Sequence, residues 1–154
     1  MQRFVSETLR IPALEQGADV SRADLVFYGV DHSGRSHTAT IFFDNPAADL
    51  STPLDPEHGY AGSFTVFGHG GCFGGAGHCD TNARHVDEFD LRPPHPLTPL
   101  TIAVTVTDAL CRLDEPQVVI ALVTREPGRD AAQTSDALQF ERLRLITYAH
   151  YAAP

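Results

Sequence analysis

Apolar and polar residues alternate in several short segments of the chain, and this alternation predicts β-strands rather than helices. In residues 36–44 the polar Thr38 and Thr40 alternate with alanine, isoleucine and phenylalanine, as expected for a strand with one buried face. Residues 117–125 are almost entirely apolar, which is typical of a central strand. On these patterns we predict strands at residues 3–11, 23–32, 36–44, 60–67, 100–106, 117–125 and 140–148.

The segments between these strands predict turns, loops and one short helix. Residues 31–34 are turn residues, and the connection that they form is short. We therefore expect the strands on either side to form a hairpin. Thr107 is suited to cap a helix over residues 108–113, with Leu110 on its buried face. Connectors are expected at residues 12–20, 45–58, 81–99 and 126–137. The absence of alternating strands and helices favours an all-β fold. We expect a single antiparallel β-sandwich over residues 1–154, jelly-roll-like, with about seven strands.

Composition and charge narrow the functions that are open to such a domain. The 154 residues are 42% hydrophobic, which is enough for a real core. The formal net charge of −9 argues against nucleic acid and against anionic membranes as partners. No apolar run approaches the roughly 18 residues of a membrane helix, so we expect a soluble, cytoplasmic protein. The edges of a sandwich also make a homodimer through strand pairing a possible assembly.

The candidate chemistry is concentrated in residues 59–80, where a strand runs into a glycine-rich loop. The loop carries His69, Cys72, His78 and Cys79 in a short stretch. Imidazole and thiolate groups are the ligands that copper(I) and zinc prefer in proteins. Glycines would allow the backbone to fold tightly enough for nearby donors to converge. These four side chains are therefore predicted metal ligands, with copper as the first expectation and zinc as the alternative.

Two other interpretations of the loop stay open at this point. Cys72 and Cys79 could form a disulfide, or the loop could be an ordered turn with free thiols. A reducing compartment and the odd total of three cysteines favour thiols or ligands over a disulfide. Against a metal site, the spacing is not that of a standard zinc finger. In an extended segment the adjacent His78 and Cys79 would also point in opposite directions.

The other histidines and the third cysteine are weaker candidates for a functional site, and the sequence lacks the familiar catalytic motifs. We expect His32, His37 and His58 to be solvated at turns or strand edges, and Cys111 to be a small buried apolar residue. The sequence contains no G-x-S-x-G, no P-loop, no dinucleotide-binding glycine motif and no H-E-x-x-H. A cysteine–histidine nucleophile from the loop is conceivable, but nothing in the sequence supplies a reason for its activation.

Three pieces of the sequence together resemble a known domain. The first is residues 40–55, an extended segment followed by an acidic, proline-containing loop. The second is the YAGSF motif at residues 60–64. The third is the strand-to-helix segment 100–113, followed by residues 118–125. In this order they resemble the C-terminal β-sandwich domain of type-3 copper proteins, namely polyphenol oxidases, tyrosinases and molluscan-type hemocyanins. The YAGSF motif is the most specific of the three.

The resemblance implies an accessory role rather than an oxidase. In that family the dicopper centre lies in a separate helical domain, which the β-sandwich covers, and in some members cysteines of the sandwich are implicated in copper loading. This sequence has no histidine pairs at helical spacing. We therefore expect a non-enzymatic accessory or binding module, with copper on the loop of residues 69–79 and a type-3 copper protein as partner. The alternatives are a small stand-alone metalloenzyme and a metal-free interaction domain.

Overall fold

The computed structural model describes residues 3–70, 89, 97–128 and 137–150, with only the backbone of Arg3. Within these ranges the chain forms nine β-strands, two short α-helices and one 3-10 helix. The strands are β1 (Arg3–Val5), β2 (Leu9–Arg10), β3 (Asp19–Val30), β4 (His37–Phe43), β5 (Tyr60–Val66), β6 (Leu100–Thr105), β7 (Gln117–Val118), β8 (Ile120–Arg125) and β9 (Arg142–His150). The helices are α1 (Pro12–Glu15), α2 (Thr107–Leu110) and the 3-10 turn Pro56–His58. In the described part of the chain, no helix has the length and apolar character needed to cross a membrane.

The strands form two main sheets and a small ribbon, and every strand pair is antiparallel. One sheet has the order β1-β8-β4-β5, the second has the order β6-β3-β9, and β2 pairs with β7. The two main sheets pack face to face, since the rings of Phe27 on β3 and Phe64 on β5 have centroids 4.7 Å apart. One buried cluster contains residues of both sheets, including Leu25, Ile41 and Leu122. The predicted antiparallel all-β fold is confirmed.

The alternation in β4 and β8 explains which side chains fill the core. Ala39 and Ile41 are fully buried on the inner face of β4, whereas Thr38 points outward and its hydroxyl lies 3.0 Å from that of Thr65. Strand β8 is buried on both faces, because a second small cluster that includes Phe42 covers the outer side of its sheet. The apolar composition of residues 120–125 therefore reflects a central strand, as predicted. The predicted strand over residues 117–125 is nevertheless divided, because residues 117–118 form β7, which pairs with β2 in the separate ribbon.

The predicted hairpin between the second and third strands is wrong. Strands β3 and β4 lie in different sheets, and residues 31–36 cross from one sheet to the other. The sequence expectation failed because the same turn residues serve a hairpin and a sheet-crossing connection equally well. The first predicted strand is also divided. Its two halves, β1 and β2, pair with β8 and β7, respectively, and Pro12 then begins a helix that was not expected.

The predictions around the second helix also need correction. Helix α2 begins at Thr107 and is preceded by Val106, which makes no side-chain cap. The Thr107 hydroxyl instead accepts a hydrogen bond of 2.9 Å from the amide of Ala23, so it joins the helix to β3. Cys111 is exposed rather than buried, because it follows the last helical residue and points away from the core. Leu110 is fully buried, as predicted.

The topology gathers the longest connections at one end of the sandwich. Strand β4 begins where its antiparallel neighbours β5 and β8 finish, as the register pairs His37 with Val66 and Thr38 with Arg125. In the other sheet, β3 ends where β6 and β9 begin. The sheet-crossing turn, the glycine-rich loop and the connection after β8 therefore all leave from this end, which we call the loop end.

Candidate metal-binding site

The base of the glycine-rich loop is fixed to the sheet-crossing turn by main-chain contacts. The amide of His69 donates to the carbonyl of His32 over 2.9 Å, and the amide of Gly70 donates to the carbonyl of Gly34. One residue earlier, the amide of Gly68 donates to the hydroxyl of Ser36 over 3.0 Å. Three successive amides of the loop base are therefore satisfied by residues 32–36, which fixes where the loop starts.

The glycines at this base are required by the closeness of the two backbones. A Cβ atom placed on Gly68 would collide with the main chain of Gly34 and Arg35. A Cβ atom on Gly70 would lie 2.8 Å from the carbonyl carbon of Gly34. Side chains do not tolerate such approaches to a backbone that cannot move aside. The local abundance of glycine therefore has a structural cause here, in addition to any role in the chemistry of the loop.

The contact between loop and turn brings two imidazole rings together. The rings of His32 and His69 have centroids 5.0 Å apart and are nearly perpendicular, at 82°. Nε2 of His32 lies 2.9 Å from the carbonyl oxygen of Thr98. Nδ1 of His69 is 3.4 Å from the carbonyl oxygen of His32, which makes a long and weak hydrogen bond. Both side chains are half-buried, so solvent reaches the pair.

The turn also carries an ionised carboxylate beside this pair. The amide of Ser33 donates to Oδ1 of Asp31 over 2.8 Å, and this hydrogen bond lowers the pKa of the carboxyl group. Burial opposes the effect, and the neighbouring His32 lowers the same pKa slightly further. Asp31 is therefore held as an anion at neutral pH on an already acidic protein.

Of the four predicted ligands, the structure describes His69. Cys72, His78 and Cys79 lie outside the described residues. Within the described ranges no group of three or more histidine, cysteine, aspartate or glutamate side chains is placed to hold a metal ion. His69 suits the role of an imidazole ligand, because the residue is half-buried and its main chain is fixed at the base of the loop.

Two buried polar residues lie beneath the loop end, and the sequence analysis missed both. His37 is 1% exposed and Glu126 is 3% exposed. The strand register pairs Thr38 with Arg125, so the preceding His37 and the following Glu126 continue the same ladder by one step. Nδ1 of His37 lies 3.0 Å from the carbonyl oxygen of Arg35, whereas its buried Nε2 has no hydrogen-bond partner among the described residues.

The expectation that His37 is solvated is therefore wrong, and a signal for its burial was present in the sequence. His37 has the same parity as Ala39 and Ile41, which fixes it on the inner face of β4. Glu126 lines a small cavity of about 200 Å³ together with Arg35, Ser36, Gly70 and Pro127. The inter-sheet space thus becomes polar directly below the base of the glycine-rich loop.

The opposite end of the sandwich has a different character. A wider, open cavity of about 510 Å³ lies there, between the end of β4 and the residues after α2. His58 is exposed there, as predicted, and its Nδ1 lies 2.7 Å from Oδ1 of Asp55. The side-chain hydrogen bond from His58 lowers the pKa of Asp55. Because Cys111 also lies at this end, both residues are far from the described base of the loop.

No protein-family model matches the chain, and no curated protein shows significant similarity to it. The fold and the site together define an antiparallel all-β protein with a glycine-rich loop. The base of this loop carries a fixed histidine pair. The resemblance to the accessory domain of type-3 copper proteins stays a prediction from the sequence motifs.

Proposed function

We propose that the protein is an accessory metal-binding module that holds a soft metal ion on its glycine-rich loop. Copper is the metal of first choice and zinc the alternative, with His69, Cys72, His78 and Cys79 as ligands. The observation that carries the proposal is the fixed position of His69. Its amide is bonded to the sheet-crossing turn, and its ring lies against a second imidazole.

A fixed first ligand reduces the entropic cost of assembling the rest of the site. The three donors that follow His69 in the sequence need only fold back toward a base that is already held in place. Glycines between them leave the backbone free to do so. Thiolates and imidazoles together favour copper(I) and zinc over magnesium or calcium. The net charge of −9 would raise the local concentration of any cation near the protein.

The likeness to type-3 copper proteins suggests what the metal is for. The YAGSF motif forms the first part of β5, the strand that leads directly into the loop. Between β5 and His69 stands Phe67, whose side chain is 79% exposed. Exposed aromatic residues are common anchors in protein interfaces. We therefore propose that the loop end docks on a type-3 copper protein in the cytoplasm and passes it copper, with no catalysis by this chain.

Metal analysis of the purified protein tests the proposal. Protein prepared under reducing conditions and loaded with copper(I) should retain stoichiometric metal after removal of excess ion. Cys72→Ser and His78→Ala should each lose it, because each removes a ligand. Cys111→Ser is the matched control, since this exposed cysteine lies at the other end of the sandwich and should retain the metal. Failure of the wild type to bind metal, together with an intact Cys72–Cys79 disulfide by mass spectrometry, would contradict the proposal.

A further inference from the structure

We infer that His32 and His69 form a two-imidazole metal site, in which His32 coordinates through Nδ1 and His69 through Nε2. His32 is a ligand that the sequence did not suggest, because 37 residues separate it from His69. The inference rests on the proposed function for the role of His69. Because a tetrahedral ion takes four ligands, His32 would replace one of the three other donors proposed from the loop. It uses described residues alone.

The hydrogen bonds decide which nitrogen of each ring is free. A main-chain carbonyl can only accept, so the 2.9 Å contact between Nε2 of His32 and the carbonyl of Thr98 requires a proton on Nε2. In the neutral ring the lone pair is then on Nδ1. The longer contact between Nδ1 of His69 and the carbonyl of His32 favours the opposite tautomer, with the lone pair on Nε2.

This arrangement is the one found around metal-binding histidines. Such histidines generally donate their second ring N–H to a carbonyl or carboxylate, which fixes the ring and raises the basicity of the coordinating nitrogen. Here each ring faces a main-chain carbonyl with one nitrogen, and both carbonyls belong to segments at the loop end. Packing of two rings alone would not require either carbonyl contact.

The separation of the rings also suits a shared ion. A tetrahedral ion about 2.0 Å from one nitrogen of each ring places the two ring centroids roughly 5 Å apart. The observed separation is 5.0 Å. The rings are half-buried, so an ion can reach them, and they are tied together through the amide of His69 and the carbonyl of His32. The centroid separation therefore matches the value expected for two imidazole ligands of one ion.

Zinc titration by calorimetry tests the inference in the full chain. His32→Ala should weaken zinc binding by at least ~10-fold, the scale at which even groups that only support a metal ligand act. His58→Ala is the matched control, since it removes a histidine that is hydrogen-bonded at the other end of the sandwich. Thermal unfolding of His32→Ala and His32→Gln would show that both variants fold. Unchanged affinity in both folded variants would overturn the inference.

The double variant Cys72→Ser/Cys79→Ser separates the inference from the proposed function. If this variant still binds zinc, and adding His32→Ala to it abolishes the binding, the imidazole pair is supported. The thiolates of the proposed function are then not ligands. If the cysteine variant loses zinc while His32→Ala binds as the wild type does, the proposed function stands and the inference is overturned. A wild type that binds no zinc overturns the inference as well.

Nitrogen-15 spectra of the imidazole rings provide a readout that does not depend on affinity. In the metal-free protein His32 should show a proton on Nε2, and zinc should shift the resonance of Nδ1. A proton on Nδ1 of His32 in the metal-free protein, or a Nδ1 resonance that zinc leaves unchanged, would contradict the assigned ligand atom.

Discussion

The amide of His69 donates to the carbonyl of His32 over 2.9 Å, and this contact ties the glycine-rich loop to the turn between the two sheets. The same contact brings the two imidazole rings to a centroid separation of 5.0 Å. The geometry of the candidate site is therefore set by the backbone of the sandwich. Changes to this backbone should alter metal binding even where they leave every proposed ligand in place.

Gly68→Ala should disrupt both the fold and the site. Its Cβ atom would collide with the main chain of Gly34 and Arg35. We expect a loss of about 1–3 kcal/mol in the free energy of unfolding, as for other overpacked positions, together with weaker zinc binding. Chemical denaturation and calorimetry measure the two effects.

Gly34→Ala is the matched control for this change, because no atom of the described residues lies within 4 Å of a Cβ placed there. This variant adds a methyl group to the turn that contacts Gly68, without a collision with the loop base. Equal stability of the two alanine variants would show that the close approach of the backbones is not required.

Asp24 should make stability depend on pH. This carboxylate is 5% exposed, and it accepts hydrogen bonds from Nε of Arg22, at 2.8 Å, and from the hydroxyl of Thr105, at 2.9 Å. The bond from Arg22 lowers its pKa below the ordinary value of 3.8, against the opposing effect of burial. A carboxyl group whose pKa is lower in the folded than in the unfolded protein stabilises the fold at pH values above the unfolded-state pKa. This contribution is lost as the pH falls through the folded-state pKa.

Asp24→Asn should therefore reduce the free energy of unfolding by about 1–3 kcal/mol at pH 7, with the difference from the wild type shrinking below pH ~4. Arg22→Ala should have a smaller effect of the same sign. The control is Arg10→Ala, since Arg10 pairs with Glu15 in an exposed position and should contribute little. A difference for Asp24→Asn that is constant from pH 7 to pH 3 would refute the assignment.

Asp44 should contribute to stability at the end of the sandwich opposite the loop end. Its backbone adopts a φ of 51°, and its side chain and amide both bond to Val119, each over 2.8 Å. Asp44→Ala should cost about 1–2 kcal/mol, since it loses the side-chain bond and keeps the left-handed backbone. Asp44→Asn should cost less, because asparagine tolerates this conformation. Both variants should bind zinc as the wild type does, and weakened binding would contradict the location of the site.

Phe67 should contribute to association and little to folding. Phe67 is 79% exposed. Phe67→Ser should therefore change the free energy of unfolding by less than about 0.5 kcal/mol. If the loop end docks on a type-3 copper protein, the same change should slow copper transfer from the loaded module to an apo-tyrosinase. Transfer at the wild-type rate would exclude Phe67 from the docking surface.

The strands were predictable from the sequence because their alternation reflects burial directly. Strand β4 was placed to within one residue at each end, and the all-β class followed from the same patterns. The crossing of residues 31–36 between sheets was not predictable, since turn residues do not specify the strand that follows them in space. The burial of His37 could have been inferred from its parity with Ile41.

The candidate site, like the fold, was predictable from the sequence only in part. The density of donors in the loop was visible in the sequence, as was the suitability of those donors for soft metals. The proximity of His32 to His69 was not visible, because it depends on the sheet crossing that was mistaken for a hairpin. Thr107 shows the same limit, as its hydroxyl bonds to a distant strand instead of capping its own helix.

X-ray absorption at the metal edge of the zinc-loaded protein would identify the atoms bound to the ion and so decide whether the loop end holds a metal through thiolate and imidazole ligands. We expect sulfur at about 2.3 Å and imidazole nitrogen at about 2.0 Å in the same spectrum, with the imidazole signal reduced in His32→Ala. A spectrum that shows oxygen ligands alone, with neither sulfur nor imidazole, would contradict it.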